Sequence, residues 1–212
     1  MVFNTPGANA NAVKELIVAG LLLGSRDIYG GMNYVQELGH MDDSGEMGKL
    51  LEKEKKRFAG SEITGKTLGV IGLGAIGSII ANLALDLGMN VIGYDPAISV
   101  EAAWQLSSRV ERMDSIESLL ARADFITLHV PAIPATKHLI NTDTLAQMKP
   151  NAKILNFARE EIVSTEDMVA ALDSGTIAGY ISDFPAPALL GRKDVLLMPH
   201  IGASTEEAEE NC

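Results

Sequence analysis

From residue 67 onward, short apolar runs alternate with stretches whose apolar residues recur every three or four positions. The runs fall at residues 68–73, 91–94, 125–130, 153–157, 177–181 and 195–198. They are short and mostly apolar, the pattern of strands covered on both faces. Between the first two, Ile76, Ile79, Ile80, Leu83 and Leu87 line up on one face of a helix. Ser164 is placed to cap a helix carrying Met168, Val169 and Leu172, and Gly175 to stop it. Strand and helix in repeated alternation predict an α/β fold, a doubly wound parallel sheet with helices on both faces.

Residues 1–66 read differently. The most apolar stretch, residues 16–23, is flanked by Lys14, Glu15, Arg26 and Asp27. It is too short to cross a bilayer, and it lacks the basic leader and small-residue cleavage site of a signal peptide. A buried helix is expected there. Residues 40–66 are polar and include Glu52-Lys53-Glu54-Lys55-Lys56-Arg57. That run is expected to be a solvated helix face, with a partner-docking patch as the alternative. The expected division is a helical crossover and arm over residues 1–66, joined to a sheet domain over residues 67–212.

Composition narrows the partners. The 212 residues carry 17 basic and 28 acidic side chains, a net charge of −11. Such a chain would repel a phosphate backbone, so no nucleic acid is expected; nor is a membrane. Cys212 is the single cysteine and cannot close an internal disulfide, which fits a reducing, cytoplasmic compartment. No metal site is expected.

The first strand leads directly into Gly72-Leu73-Gly74-Ala75-Ile76-Gly77 and then into the helix. Each glycine answers a different need: Gly72 the tight turn, Gly74 close approach of backbone to a pyrophosphate, Gly77 tight packing of helix on strand. The helix N-terminus offers N–H groups and a positive dipole end to phosphate. The second strand ends at Asp95, whose carboxylate suits the ribose hydroxyls of NAD and repels the 2′-phosphate of NADP. The alternative for Asp95 is a turn cap before Pro96. NAD is the expected cofactor, in a Rossmann-type domain.

Ligands of such sheets bind beyond the carboxyl ends of the strands. The polar residues expected there are His129 with Val130 and Pro131, Arg159 after Ala158, Asp183, and His200 with Gly202 and Ala203 behind it. Oxidation of an alcohol by a nicotinamide needs a base for the hydroxyl proton, which a histidine supplies near neutral pH. A 2-hydroxy acid needs a cation for its carboxylate, and the Arg159 guanidinium is a planar fork. Asp183 is a candidate acceptor for the nicotinamide carboxamide. His40 and His138 are given no role.

With those residues in place, the sequence resembles the D-isomer-specific 2-hydroxyacid dehydrogenase family. The resemblance is carried by Phe3-Asn4-Thr5-Pro6-Gly7-Ala8-Asn9, Val13-Lys14-Glu15-Leu16, Gly65-Lys66-Thr67-Leu68-Gly69-Val70-Ile71-Gly72-Leu73-Gly74 and Pro199-His200-Ile201-Gly202-Ala203-Ser204-Thr205. It implies that Arg159 binds substrate and His200 is the acid/base. Gly72, Gly74, Ala75, Ile76, Gly77, Asp95, Asp183, Gly202 and Ala203 would hold NAD, with His129, Val130, Pro131, Ala158 and His200 lining the cofactor site. It also implies a homodimer formed through the cofactor-binding domain, and a small 2-hydroxy acid, 3-phosphoglycerate or another, as substrate. The family's substrate-binding domain, about 100 residues, is expected to lie outside this chain. The chain alone is therefore expected to bind NAD(H) and turn over little.

Two positions depart from the family pattern. Glu160 stands where the family usually has glycine, placing negative charge beside an anionic substrate. Counting 29 residues on from Arg159 reaches Ala188, where the family has the glutamate that holds the histidine. No carboxylate lies between Asp183 and Asp194.

Overall fold

The computed structural model describes residues 9–210. The segment 3–9 therefore lies outside the described residues except for Asn9, and so does Cys212. Helices α1 (Ala10–Ser25), α2 (Ile28–Glu37) and α3 (Ser44–Glu54) come first. Then strand β1 (Thr67–Ile71), helix α4 (Ala75–Asp86), strand β2 (Asn90–Tyr94), helix α5 (Val100–Gln105) and strand β3 (Glu111–Arg112) follow. The chain continues through α6 (Ile116–Leu120), β4 (Phe125–Leu128), α7 (Thr142–Leu145), β5 (Lys153–Asn156), α8 (Thr165–Asp173), β6 (Gly179–Ser182), β7 (Val195–Leu197) and α9 (Glu206–Glu210).

Seven strands form one parallel sheet in the order β3-β2-β1-β4-β5-β6-β7. The order reverses between β1 and β4, and a crevice opens at such a switch point. Successive strand residues face opposite sides. Val91, Phe125, Leu155 and Ile181 pack with α1 and α4. Their neighbours Ile92, Ile126, Ile154 and Tyr180 pack with α6, α7 and α8 on the other side. Two buried faces explain why the strands read as apolar runs rather than as an alternation.

All six apolar runs contain strands of this sheet. The seventh strand, β3, was not foreseen: its two residues are exposed at the sheet edge and carry no apolar signal. In the run at 177–181 the strand register begins at Gly179, opposite Lys153, after the Ala178 N–H has bonded the Ala152 carbonyl at 2.9 Å. Residues 16–23 lie within α1, with Ile17 and Leu21 fully buried. The polar run belongs to α3 and the following turn, has no buried residue and carries the pairs Glu52–Lys55 and Glu54–Arg57. Ser164 caps α8 through the Asp167 N–H, and Gly175 follows the helix at φ +70°. Among the described residues, no helix is long and apolar enough to cross a membrane.

Candidate functional site

The glycine turn joins β1 to α4 at the switch point. Gly72 sits at φ +92°, where a Cβ would lie 2.5 Å from the His129 carbonyl oxygen, so only glycine fits. A Cβ at Gly77 would fall 1.9 Å from the Gly72 carbonyl oxygen, so α4 rests directly on the turn. Gly74, the N-cap of α4, has open space where its Cβ would be. No side chain caps α4, and the first N–H groups of a helix have no partner within it. The cradle is therefore open on the side where a pyrophosphate would approach, and the residues present fit a dinucleotide.

Asp95 closes the neighbouring end of β2. One carboxylate oxygen accepts the Leu73 N–H at 2.8 Å and the other the Ala97 N–H at 2.8 Å. The carboxylate thus caps the turn before Pro96 and also ties the glycine turn to β2. Each oxygen retains a further lone pair for a ribose hydroxyl.

His129 follows β4 with its backbone N–H on the Ile71 carbonyl at 2.7 Å. Its Nε2 shares a hydrogen bond of 2.9 Å with the Thr127 hydroxyl. Burial pushes the imidazole down to about 4, so it is neutral near pH 7. The unfolded chain binds this proton below about pH 6.5, whereas the folded chain binds it only near pH 4. Stability is therefore lost as pH falls through that window, by about 2–3 kcal/mol. Thermal melts of His129→Gln between pH 7 and pH 4 should show a correspondingly smaller fall than those of the parent chain.

After β5, the fully buried Asn156 shapes the turn that presents Arg159. Its amide donates to the Arg159 carbonyl at 2.9 Å and its side-chain oxygen accepts the Ala158 N–H at 3.2 Å. Arg159 itself is exposed, with a guanidinium hydrogen bond of 2.6 Å to the Ala158 carbonyl. Glu160 and Glu161 follow, exposed, in the 3-10 turn Glu160–Ile162, which Ile162 anchors in the core. Burial raises the pKa of the Tyr180 phenol, and the charge of Glu160 adds to that shift.

Asp183 ends β6 and is 2% exposed. Its two carboxylate oxygens accept the N–H groups of Ile201 (2.9 Å) and Gly202 (2.7 Å), and its carbonyl accepts that of His200 (2.9 Å). Three consecutive N–H groups beyond β7 are thus gathered on one residue. His200 adopts φ +57° in that turn, and its exposed imidazole meets the Phe184 ring at a centroid distance of 4.9 Å. No described residue forms an ion pair with it. Ala188 lies exposed in the 3-10 turn Pro187–Leu189. Asp194 precedes β7 at the opposite end of the strand and is held by Arg192 through two 2.8 Å hydrogen bonds.

The residues singled out in the sequence thus leave the carboxyl ends of β1, β2, β4, β5, β6 and β7 on one side of the sheet. Val130 and Pro131 continue from His129, and Ala203 continues from Gly202. Sequence reasoning missed Thr127, Asn156 and Phe184. The first two had one available signal, a polar residue inside an otherwise apolar strand run. A cavity of about 270 Å³ opens instead at the amino ends of β5, β6 and β7, lined by Lys153, Gly179 and Asp194 among others. It lies at the other edge of the sheet. Among the described residues, no group of three His, Cys, Asp or Glu could hold a metal ion.

A parallel sheet with a glycine cradle at its switch point and a carboxylate at the end of the next strand defines a Rossmann-type dinucleotide-binding domain. Residues 31–202 match the model of the D-isomer specific 2-hydroxyacid dehydrogenase, NAD binding domain, and the chain belongs to that family. Its cofactor is NAD. The chain is 40% identical over 217 residues to a D-3-phosphoglycerate dehydrogenase of Synechocystis sp., covering 100% of this chain and 36% of that protein. It is 38% identical over 218 residues to a hydroxypyruvate reductase of Thermotoga maritima, covering 98% of this chain and 65% of that one. The apo D-mandelate dehydrogenase of Rhodotorula graminis superposes with a TM-score of 0.79 at 30% identity, over 97% of this chain and 59% of that one. The chain thus spans less than two thirds of the length of each of these relatives.

Proposed function

We propose that this chain is the cofactor-binding part of an enzyme that oxidises 3-phosphoglycerate to 3-phosphohydroxypyruvate, at the entry to serine synthesis in the cytoplasm. The observation that carries the reading is the presence of Arg159 and His200 beyond the same edge of the sheet as the glycine cradle. Similarity over the whole chain to D-3-phosphoglycerate dehydrogenases supports the choice of substrate. In this reading residues 67–212 form the NAD-binding core and residues 1–66 a crossover helix and arm, while the substrate-binding domain lies outside this chain. The exposed face of α2 formed by Tyr29, Met32 and Val35 supports pairing of two copies through this domain.

Bound NAD supplies an acceptor for the hydride on C2 of the substrate. Gly72, Gly74, Ala75, Ile76 and Gly77 would hold its pyrophosphate, and Asp95 the adenosine ribose. His129, Val130, Pro131, Ala158, Asp183, Gly202 and Ala203 would line the rest of its site. Arg159 would hold the substrate carboxylate through its guanidinium fork. His200 would take the proton of the C2 hydroxyl as the carbonyl forms, and return it in the reverse direction.

A second reading keeps the reaction and changes the acid. The similarity to a hydroxypyruvate reductase and a D-mandelate dehydrogenase favours it, as does the negative charge of Glu160 beside Arg159. A third reading, a catalytically weakened NAD(H)-binding module, rests on Ala188 and Glu160. One experiment separates the three: kcat/KM of the intact protein for 3-phosphoglycerate and a panel of D-2-hydroxy acids, with Ala188→Glu in parallel. The proposal expects 3-phosphoglycerate to be preferred and Ala188→Glu to raise kcat at least about tenfold. Preference for another acid supports the second reading. No turnover of any acid, with or without Glu at 188, supports the third and overturns the first.

A further inference from the structure

We infer that Phe184 is a positioning residue for His200, and that with Asp183 it holds an imidazole for which no described residue is a charged partner. The inference rests on the reading of His200 as the acid/base. A histidine that exchanges a proton with substrate must keep its ring in one orientation, and misplacement on the order of 1 Å is costly. Two sets of motions have to be restrained: those of the backbone, and the two side-chain torsions.

The backbone is restrained by Asp183. Its carbonyl and both carboxylate oxygens take the N–H groups of His200, Ile201 and Gly202. This clamp stabilises His200 at φ +57°, a region that side-chain-bearing residues rarely adopt. Among the described residues no ion pair restrains the torsions, and Ala188 offers no carboxylate.

What meets the ring is Phe184, at 4.9 Å between centroids and 58° between planes. That lies within the tilted geometries aromatic pairs prefer, about 4.5–7 Å apart. Phe184 is itself anchored. It is half-buried, its N–H donates to the Ser182 hydroxyl at 3.0 Å, and it immediately follows the clamping Asp183. Residues 182–184 therefore fix the histidine at both levels: Asp183 holds its main chain and Phe184 its ring.

The test compares Phe184→Leu, which keeps an apolar side chain and removes the ring, with Phe184→Tyr, which keeps the ring. In NMR spectra of this chain, Phe184→Leu should shift the His200 imidazole signals by removing the ring current, while Phe184→Tyr leaves them near their original positions. NADH affinity should stay within about twofold in both. In the intact protein, hydride transfer should slow about tenfold in Phe184→Leu at unchanged KM, and return in Phe184→Tyr. An unchanged rate overturns the inference. So does a loss confined to NADH affinity or KM, which would make Phe184 a wall of the crevice. The His200→Gln variant keeps the two readings apart. If it transfers hydride normally, the acid/base assignment fails, while the NMR comparison still reports whether Phe184 holds the imidazole.

Discussion

With His200 as the acid/base proposed above, replacing it by glutamine should lower hydride transfer in the intact protein by about 10²–10⁴-fold, the range that general acid–base catalysis contributes. Glutamine occupies similar space and keeps hydrogen-bonding capacity, but cannot take the hydroxyl proton. The turn should survive, because what Asp183 clamps are the backbone N–H groups of residues 200–202. NADH affinity is therefore expected to stay within about threefold of the parent. Single-turnover kinetics with NADH titration alongside would check both halves. A rate within a factor of ten of the parent would remove His200 from the chemistry. The effect also bears on Ala188→Glu: a carboxylate delivered to the imidazole should do nothing once His200 is gone, so the double variant should match His200→Gln alone.

Gly77→Ala should be the most damaging single methyl in the domain. The added Cβ would stand 1.9 Å from the Gly72 carbonyl oxygen, and the atom it meets is backbone rather than a pliant side chain. Either α4 lifts off the turn or the turn shifts, and each route spoils the cradle. Overpacking of this kind costs about 3 kcal/mol, roughly 6–12 °C in melting temperature for a domain of this size. NADH affinity should fall at least about a hundredfold, because the α4 N-terminus no longer faces the pyrophosphate. Gly74→Ala is the control. Its Cβ would point into open space in the ligand-free chain, so it should fold normally and lose affinity only through contact with the dinucleotide. Melting curves with and without NADH separate the two. Equal melting temperatures for Gly77→Ala and the parent would show that the helix does not bear on the turn as described.

Much of the sheet was legible because its strands are buried on both faces, so that each became an apolar run bounded by glycine, proline or charge. The strand β3 escaped because an exposed two-residue edge buries nothing. The helices were legible from periodicity alone at α4, and from periodicity together with a cap at α8. The glycine turn could be read at Gly72 and Gly77, since a positive φ or a missing Cβ is a requirement on residue type itself. Asp95 was harder. Both the ribose-binding and the turn-capping readings were open, and the carboxylate does cap the turn.

Residue identity and spacing were enough to specify the parallel sheet, the dinucleotide cradle, the candidates Arg159 and His200, and the lack of a carboxylate at position 188. These follow from periodicity and side-chain chemistry, which act over a few residues. The contacts that place the candidates came only with the tertiary structure. Asp183, at the end of β6, reaches the N–H groups of residues 201 and 202 beyond β7, and Phe184 meets a histidine sixteen positions away. Neighbouring strands deliver these partners to one another. Which side chains meet there depends on sheet order and register, and neither is written in any local stretch of the chain.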